Sequence, residues 1–104
     1  MADKFDITFP RSYLCRMNLA LIADAYSVEA DGEVRLYLLD LRDYIRSRID
    51  SRDKALGHAA QNVKIKLSRE DYKMISLMCK RIGETYDASR YYLKIHEFIE
   101  EAIA

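Results

Sequence analysis

The chain has 104 residues, half of them apolar and a third charged, and its 17 basic and 17 acidic residues give a formal net charge of zero. That length holds one small domain, or two small units sharing a core, and the composition is that of a folded soluble protein. Zero net charge removes any whole-molecule attraction to polyanions, so a nucleic-acid contact would have to come from a local patch.

The first element is "KFDITFP", in which Phe5, Ile7 and Phe9 alternate with Asp6 and Thr8. A period of two predicts a strand with one apolar face. Before it, "MADKFDITFP" has no apolar h-region, so no signal peptide is expected, and no apolar run in the chain reaches membrane-spanning length. The expected setting is the cytoplasm, without membrane association. Pro10 suits a first-turn position, and "RSYLCRMNLALIADAY" then takes up a helical period. After the acidic turn "SVEADGE", a second helix is predicted over "VRLYLLDLRDYIRSRI", residues 34–49.

A connector, residues 50–62, is polar at its start, carries Gly57, and has a helical extension available from Ala55 to Ala60. "NVKIKLSREDYKMI" then switches from strand to helix a second time. Val63, Ile65 and Leu67 alternate with Lys64 and Lys66, Ser68 stands at an N-cap position, and Tyr72, Ile75, Met78, Cys79 and Ile82 follow at helical spacing. A last helix is expected over residues 88–103.

The element order repeats. Phe5, Ile7 and Phe9 lie over Val63, Ile65 and Leu67, and Pro10 lies over Ser68. With two residues added in the second copy, Leu14 lies over Met74, Met17 over Leu77, Ile22 over Ile82 and Tyr26 over Tyr86. Further on, Tyr37, Leu39, Ile45 and Ile49 meet Tyr91, Leu93, Ile99 and Ile103 as identities. The reading is a single domain, 1–104, with repeat one at 4–49, connector 50–62 and repeat two at 63–104. The fold class expected is mainly α with a two-stranded antiparallel ribbon. Each strand satisfies the other's backbone, and both inward faces lie on four interlocked helices.

With these elements in place, "VKIKLSREDYKMISLMCKRIGETYDASRYYLKIHEFIEEAI" resembles a ribbon-helix-helix unit of the Arc and methionine-repressor class. The likeness lies in the alternating strand, the Ser or Pro at the turn, the amphipathic helix closing near "RIGET" and the second apolar helix. Proteins of that family are usually homodimers whose paired strands enter the DNA major groove. This chain resembles a tandem, single-chain version, an intramolecular pseudo-dimer active as a monomer or as a homodimer. The resemblance implies base reading by Thr8, Lys64 and Lys66 first, and by Lys4 and Asn62 second. Lysine donates to guanine and asparagine pairs with adenine. Asp6 occupies the remaining outward position, where a carboxylate is repelled by phosphate unless it accepts from cytosine. The family also holds a phosphate at the start of its second helix. In repeat two that place falls to Ser89 and Arg90. In repeat one Glu29, Asp31 and Glu33 crowd it and oppose an anion.

Enzyme chemistry finds no support in the sequence. His58 lies in the connector, and His96, lying over Arg42, is expected to face solvent. Neither stands at ligand spacing with a cysteine, so neither metal nor cofactor is expected, and Cys15 and Cys79 read as reduced core thiols. Asp40 and Asp43 read as a charged outer face, and three glycines leave no phosphate-cradling loop. Tyr26, Tyr86, Tyr37 and Tyr91 recur at matched positions and read as helix packing. Tyr13, Tyr72 and Tyr92 have no such match and are candidates for a partner surface.

Two functional readings stay open. The first is a small duplex-DNA-binding regulator, of transcription or of a plasmid or phage system, that inserts its ribbon into the major groove. The second is a protein-binding module on the same fold, antitoxin-like or a phage-encoded inhibitor or assembly factor, favoured by "VEADGE" and the neutral charge. An all-helical adaptor without the strands is a third and weaker fit.

Overall fold

Alternation of apolar and polar residues in two short segments calls for two strands, and the computed structural model places them there. It describes residues 3–57, 62–85 and 90–104. In chain order the elements are β1 (Lys4–Pro10), α1 (Arg11–Ala25), α2 (Gly32–Leu56), β2 (Asn62–Ser68), α3 (Arg69–Thr85) and α4 (Arg90–Ile103). The fold is mainly helical, and β1 and β2 pair as a two-stranded antiparallel sheet.

Period two sorts the strand side chains. Ile7, Phe9, Val63, Ile65 and Leu67 are buried and Phe5 is half-buried, while Lys4, Asp6, Thr8, Asn62, Lys64 and Lys66 are all exposed. The chain divides into two compact units.

The first unit is Thr8–Ile65. Here α1 packs on α2. Leu14, Met17, Ala20, Leu21 and Ala25 of α1 are buried, as are Leu38, Leu41, Ile45 and Ile49 of α2. Asp31 caps α2 by accepting from the Val34 N–H at 2.8 Å, so the orphan amide there is satisfied from within the chain. The helix runs past residue 49 to Leu56, one part of the extension that the connector's composition allows. It ends at Gly57, whose φ of 75° a side chain would oppose. Arg11 locks the start of α1 to the end of α2: its Nε and Nη2 reach the Asp53 carboxylate at 3.0 and 2.7 Å. That hydrogen bond, ahead of all other influences, raises the already high pKa of the guanidinium.

The second unit is Met1–Ile7 with Lys66–Ala104. Ser68 caps α3 through Oγ, which accepts from Asp71 N–H at 3.1 Å, as its position in the sequence predicts. α3 packs on α4. Gly83 permits this approach, because a Cβ there would stand 2.6 Å from Leu93 Cγ. At the centre is Tyr72, wholly buried. Its hydroxyl donates to the Phe5 carbonyl at 2.8 Å and accepts from Leu67 N–H at 3.2 Å, tying α3 to both strands.

Burial revises the register between the two halves. The burial patterns of α1 and α3 match without the two added residues: at a constant offset of 58, Leu14, Met17, Asn18, Ala20, Leu21 and Ala25 fall on Tyr72, Ile75, Ser76, Met78, Cys79 and Gly83. All twelve are buried. The pairing of Met17 with Leu77 is excluded, since Leu77 is half exposed. In α2 and α4, at an offset of 54, Leu41, Ile45 and Ile49 correspond in burial to Ile95, Ile99 and Ile103. The tyrosine assignments also change. Tyr72 is core and not a partner-surface residue. Tyr26 is 65% exposed and stacks under Arg35, 5.7 Å from the ring centroid, and Tyr37 is exposed too. Tyr86 lies outside the described residues.

Two predictions follow from this packing. Tyr72→Phe keeps the ring but strips a part-buried carbonyl and a buried N–H of their shared partner, a loss of about 1–3 kcal/mol that urea denaturation will register. Glu100, hydrogen-bonded by Lys73, has its carboxyl held below the usual range, chiefly by that bond. A lowered folded pKa contributes stability above the unfolded value, about 4.3, and the contribution disappears as pH falls through the folded pKa. Glu100→Gln will therefore be less stable than wild type at neutral pH, and the gap will close as pH falls below about 4.

Candidate functional site

Because the inward strand residues are committed to the core, the intervening ones have nowhere to point but outward. In the second unit this exposes Lys4, Asp6 and Lys66. Asp6 Oδ1 stands 3.9 Å from Lys66 Nζ, an exposed pair worth little energetically but enough to offset the lysine's charge locally.

The first unit exposes Thr8, Asn62 and Lys64. These three form one wall of an open groove of about 480 Å³, and Arg48, Ser51 and Arg52 of α2 form the other. The spacing explains why. Residues 48, 51, 52 and 55 follow one another at three- and four-residue steps and so share one face of α2. Arg48 is fixed to the strand by its Nε, which donates to the Lys64 carbonyl at 3.3 Å. Among the described residues the lining holds three cations, two hydroxyls and an amide, with no carboxylate.

On the opposite face of α2, a smaller cleft of about 220 Å³ opens toward α1. Arg11, Cys15, Asn18, Arg42, Arg46 and Asp50 supply its polar lining. Its charges are balanced: Asp53 holds Arg11, Asp43 Oδ1 is 2.8 Å from Arg42 Nε, and Asp50 is 3.8 Å from Arg46. The buried Asn18 Oδ1 has no hydrogen-bond partner.

The helix starts expected to meet phosphate stand as follows. In the Thr8–Ile65 unit Asp31 itself takes up an amide at the start of α2, and Glu29 and Glu33 are exposed beside it, the acidic crowding that opposes an anion there. In the second unit Arg90 is exposed at the first residue of α4, and Ser89 lies outside the described residues. His58 lies outside them as well. His96 does not face solvent freely: its Nδ1 is 2.7 Å from the Oγ of the buried Ser76 and 3.1 Å from the Ser76 carbonyl. Cys79 is in the core as expected, but Cys15 is only half-buried and lines the cleft. Among the described residues no group of three or more His, Cys, Asp or Glu could hold a metal, and no helix is long and apolar enough to cross a membrane.

Arg48, Ser51 and Arg52 were missed by sequence reasoning. The periodic signal for them was present in α2, but the helix was expected to stop at residue 49. No family model, no curated protein and no solved structure matches the chain.

The two thiols provide a direct check of this burial pattern. A thiol-reactive chromophore will label Cys15 in the native protein, and Cys79 will become reactive only on unfolding.

Proposed function

We propose that this protein is a small cytoplasmic DNA-binding regulator, a ribbon-helix-helix pseudo-dimer within one chain, that reads a short duplex site through the exposed face of the β1–β2 sheet. The observation that carries the reading is the run of outward residues Lys4, Thr8, Asn62, Lys64 and Lys66 on two paired strands. A two-stranded ribbon fits the major groove, and these side chains supply donors for guanine and adenine edges. The constant burial offsets, 58 for the strands and following helices and 54 for the later helices, support the pseudo-dimer. Lys64 and Thr8 are the first choice for base contact, because Asp6 competes for Lys66. The protein acts by binding and not as an enzyme, and it needs no cofactor.

A second reading, a protein-binding module on the same fold, is favoured by the α1–α2 turn. There Tyr26, Val28, Val34, Leu36 and Tyr37 are exposed among Glu29, Asp31 and Glu33. Retention of a partner protein, without any shift of duplex DNA at low salt, would decide for it.

The DNA reading is tested by Lys64→Ala combined with Lys66→Ala. The double variant should keep the helical circular dichroism of the wild type and lose duplex binding in a mobility-shift titration. Unchanged affinity and unchanged salt dependence would sink the reading.

A further inference from the structure

We propose that the groove between α2 and the β1–β2 sheet in the Thr8–Ile65 unit is a phosphate site, in which Arg48 and Arg52 grip the DNA backbone beside the ribbon. This rests on the duplex-DNA reading and deepens it: the backbone clamp of repeat one lies toward the end of its second helix, not at the start.

Three observations meet here. First, the start of α2 is closed to anions, since the Asp31 carboxylate already accepts from the Val34 N–H there. Second, the groove gathers Arg48, Arg52 and Lys64 with Ser51, Thr8 and Asn62, a set of donors without a carboxylate. Third, the acidic residues of the same stretch of α2 are turned elsewhere. Asp53 is held by Arg11, and Asp50 lies beside Arg46, one turn back on the same helix, on the lining of the other cleft. Among the described residues no carboxylate pairs with Arg48, Arg52 or Lys64.

Complementing the helix dipole would account for a cation in the last turn, and Lys54 already stands there. It would not account for two arginines stepped back along one face toward the strand. Arginine suits the task because its planar fork meets phosphate oxygens in pairs, and the Arg48 Nε bond to Lys64 orients that fork. Phosphate contacts of this kind set the position of a protein on the duplex and carry no sequence information. They would place Lys64 and Thr8 over the base edges.

The experiment measures fluorescence anisotropy of the full chain on labelled duplexes of about two helical turns, one A·T-only and one G·C-only, across a salt series. Arg48→Gln with Arg52→Gln should weaken binding by roughly tenfold per arginine. The loss should be equal on both duplexes, and the slope of log K against log salt should become shallower by about 2. Arg48→Lys with Arg52→Lys should restore the slope, because lysine keeps the charge. Should the double variant fail to fold, Arg52→Gln alone, at an exposed position, should remove about one unit of slope. Wild-type binding with an unaltered slope in these variants overturns the phosphate site and leaves the DNA reading standing. A loss confined to one duplex also overturns it, assigning the arginines to bases. No binding by the wild type at low salt overturns the DNA reading, and this assignment with it.

Discussion

A seven-residue strand cannot satisfy its own peptide groups, and everything else in this molecule answers to that constraint. β1 and β2 are far apart in sequence, yet each completes the other's hydrogen bonding. The Tyr72 hydroxyl adds to the arrangement from below by serving Phe5 and Leu67 at once. Once paired, the strands must bury Ile7, Phe9, Val63, Ile65 and Leu67, and period two then sends the intervening side chains to the other face. The candidate binding face is thus a by-product of core formation. A slip of one residue would exchange the two.

Net charge says little about such a face. The chain is neutral, but its charges are sorted by helical phase. On one side of α2 the arginines meet carboxylates, as in Arg11 with Asp53 and Arg46 with Asp50. On the other, Arg48 and Arg52 lie beside Lys64 with no acid among the described residues of the groove. The acidic turn follows the same logic, since Asp31 is occupied in capping α2. Local fields are set by which carboxylates are already committed, and only the unpaired remainder acts on a ligand.

The helices carry a quieter constraint in their close contacts. Gly83 in α3 and Ala25 in α1 are both buried small residues near the ends of their helices. At Gly83 the reason is explicit, because Leu93 occupies the space a methyl would need. Tyr72 and Leu14 correspond in burial yet differ greatly in volume, so α1 and α3 pack with different side chains in the same pattern of burial.

The sequence by itself determined both strands, the outward set from Lys4 to Lys66, the Ser68 cap, and the buried series Leu41, Ile45, Ile49 and Ile95, Ile99, Ile103. Each of these follows from short-range periodicity or from one residue's local chemistry. The tertiary structure alone decided the register of α1 against α3, because an amphipathic helix offers apolar residues at three- and four-residue steps and fits several alignments equally well. It also decided that Tyr72 is core, that His96 is tied to Ser76, and that Cys15 lines a cleft, since burial depends on what lies opposite. The groove of Arg48 and Arg52 belongs to the same class. Its two walls come from the end of α2 and from two strands, β1 far upstream and β2 shortly downstream, and no pattern along the sequence records which residues will meet across a gap.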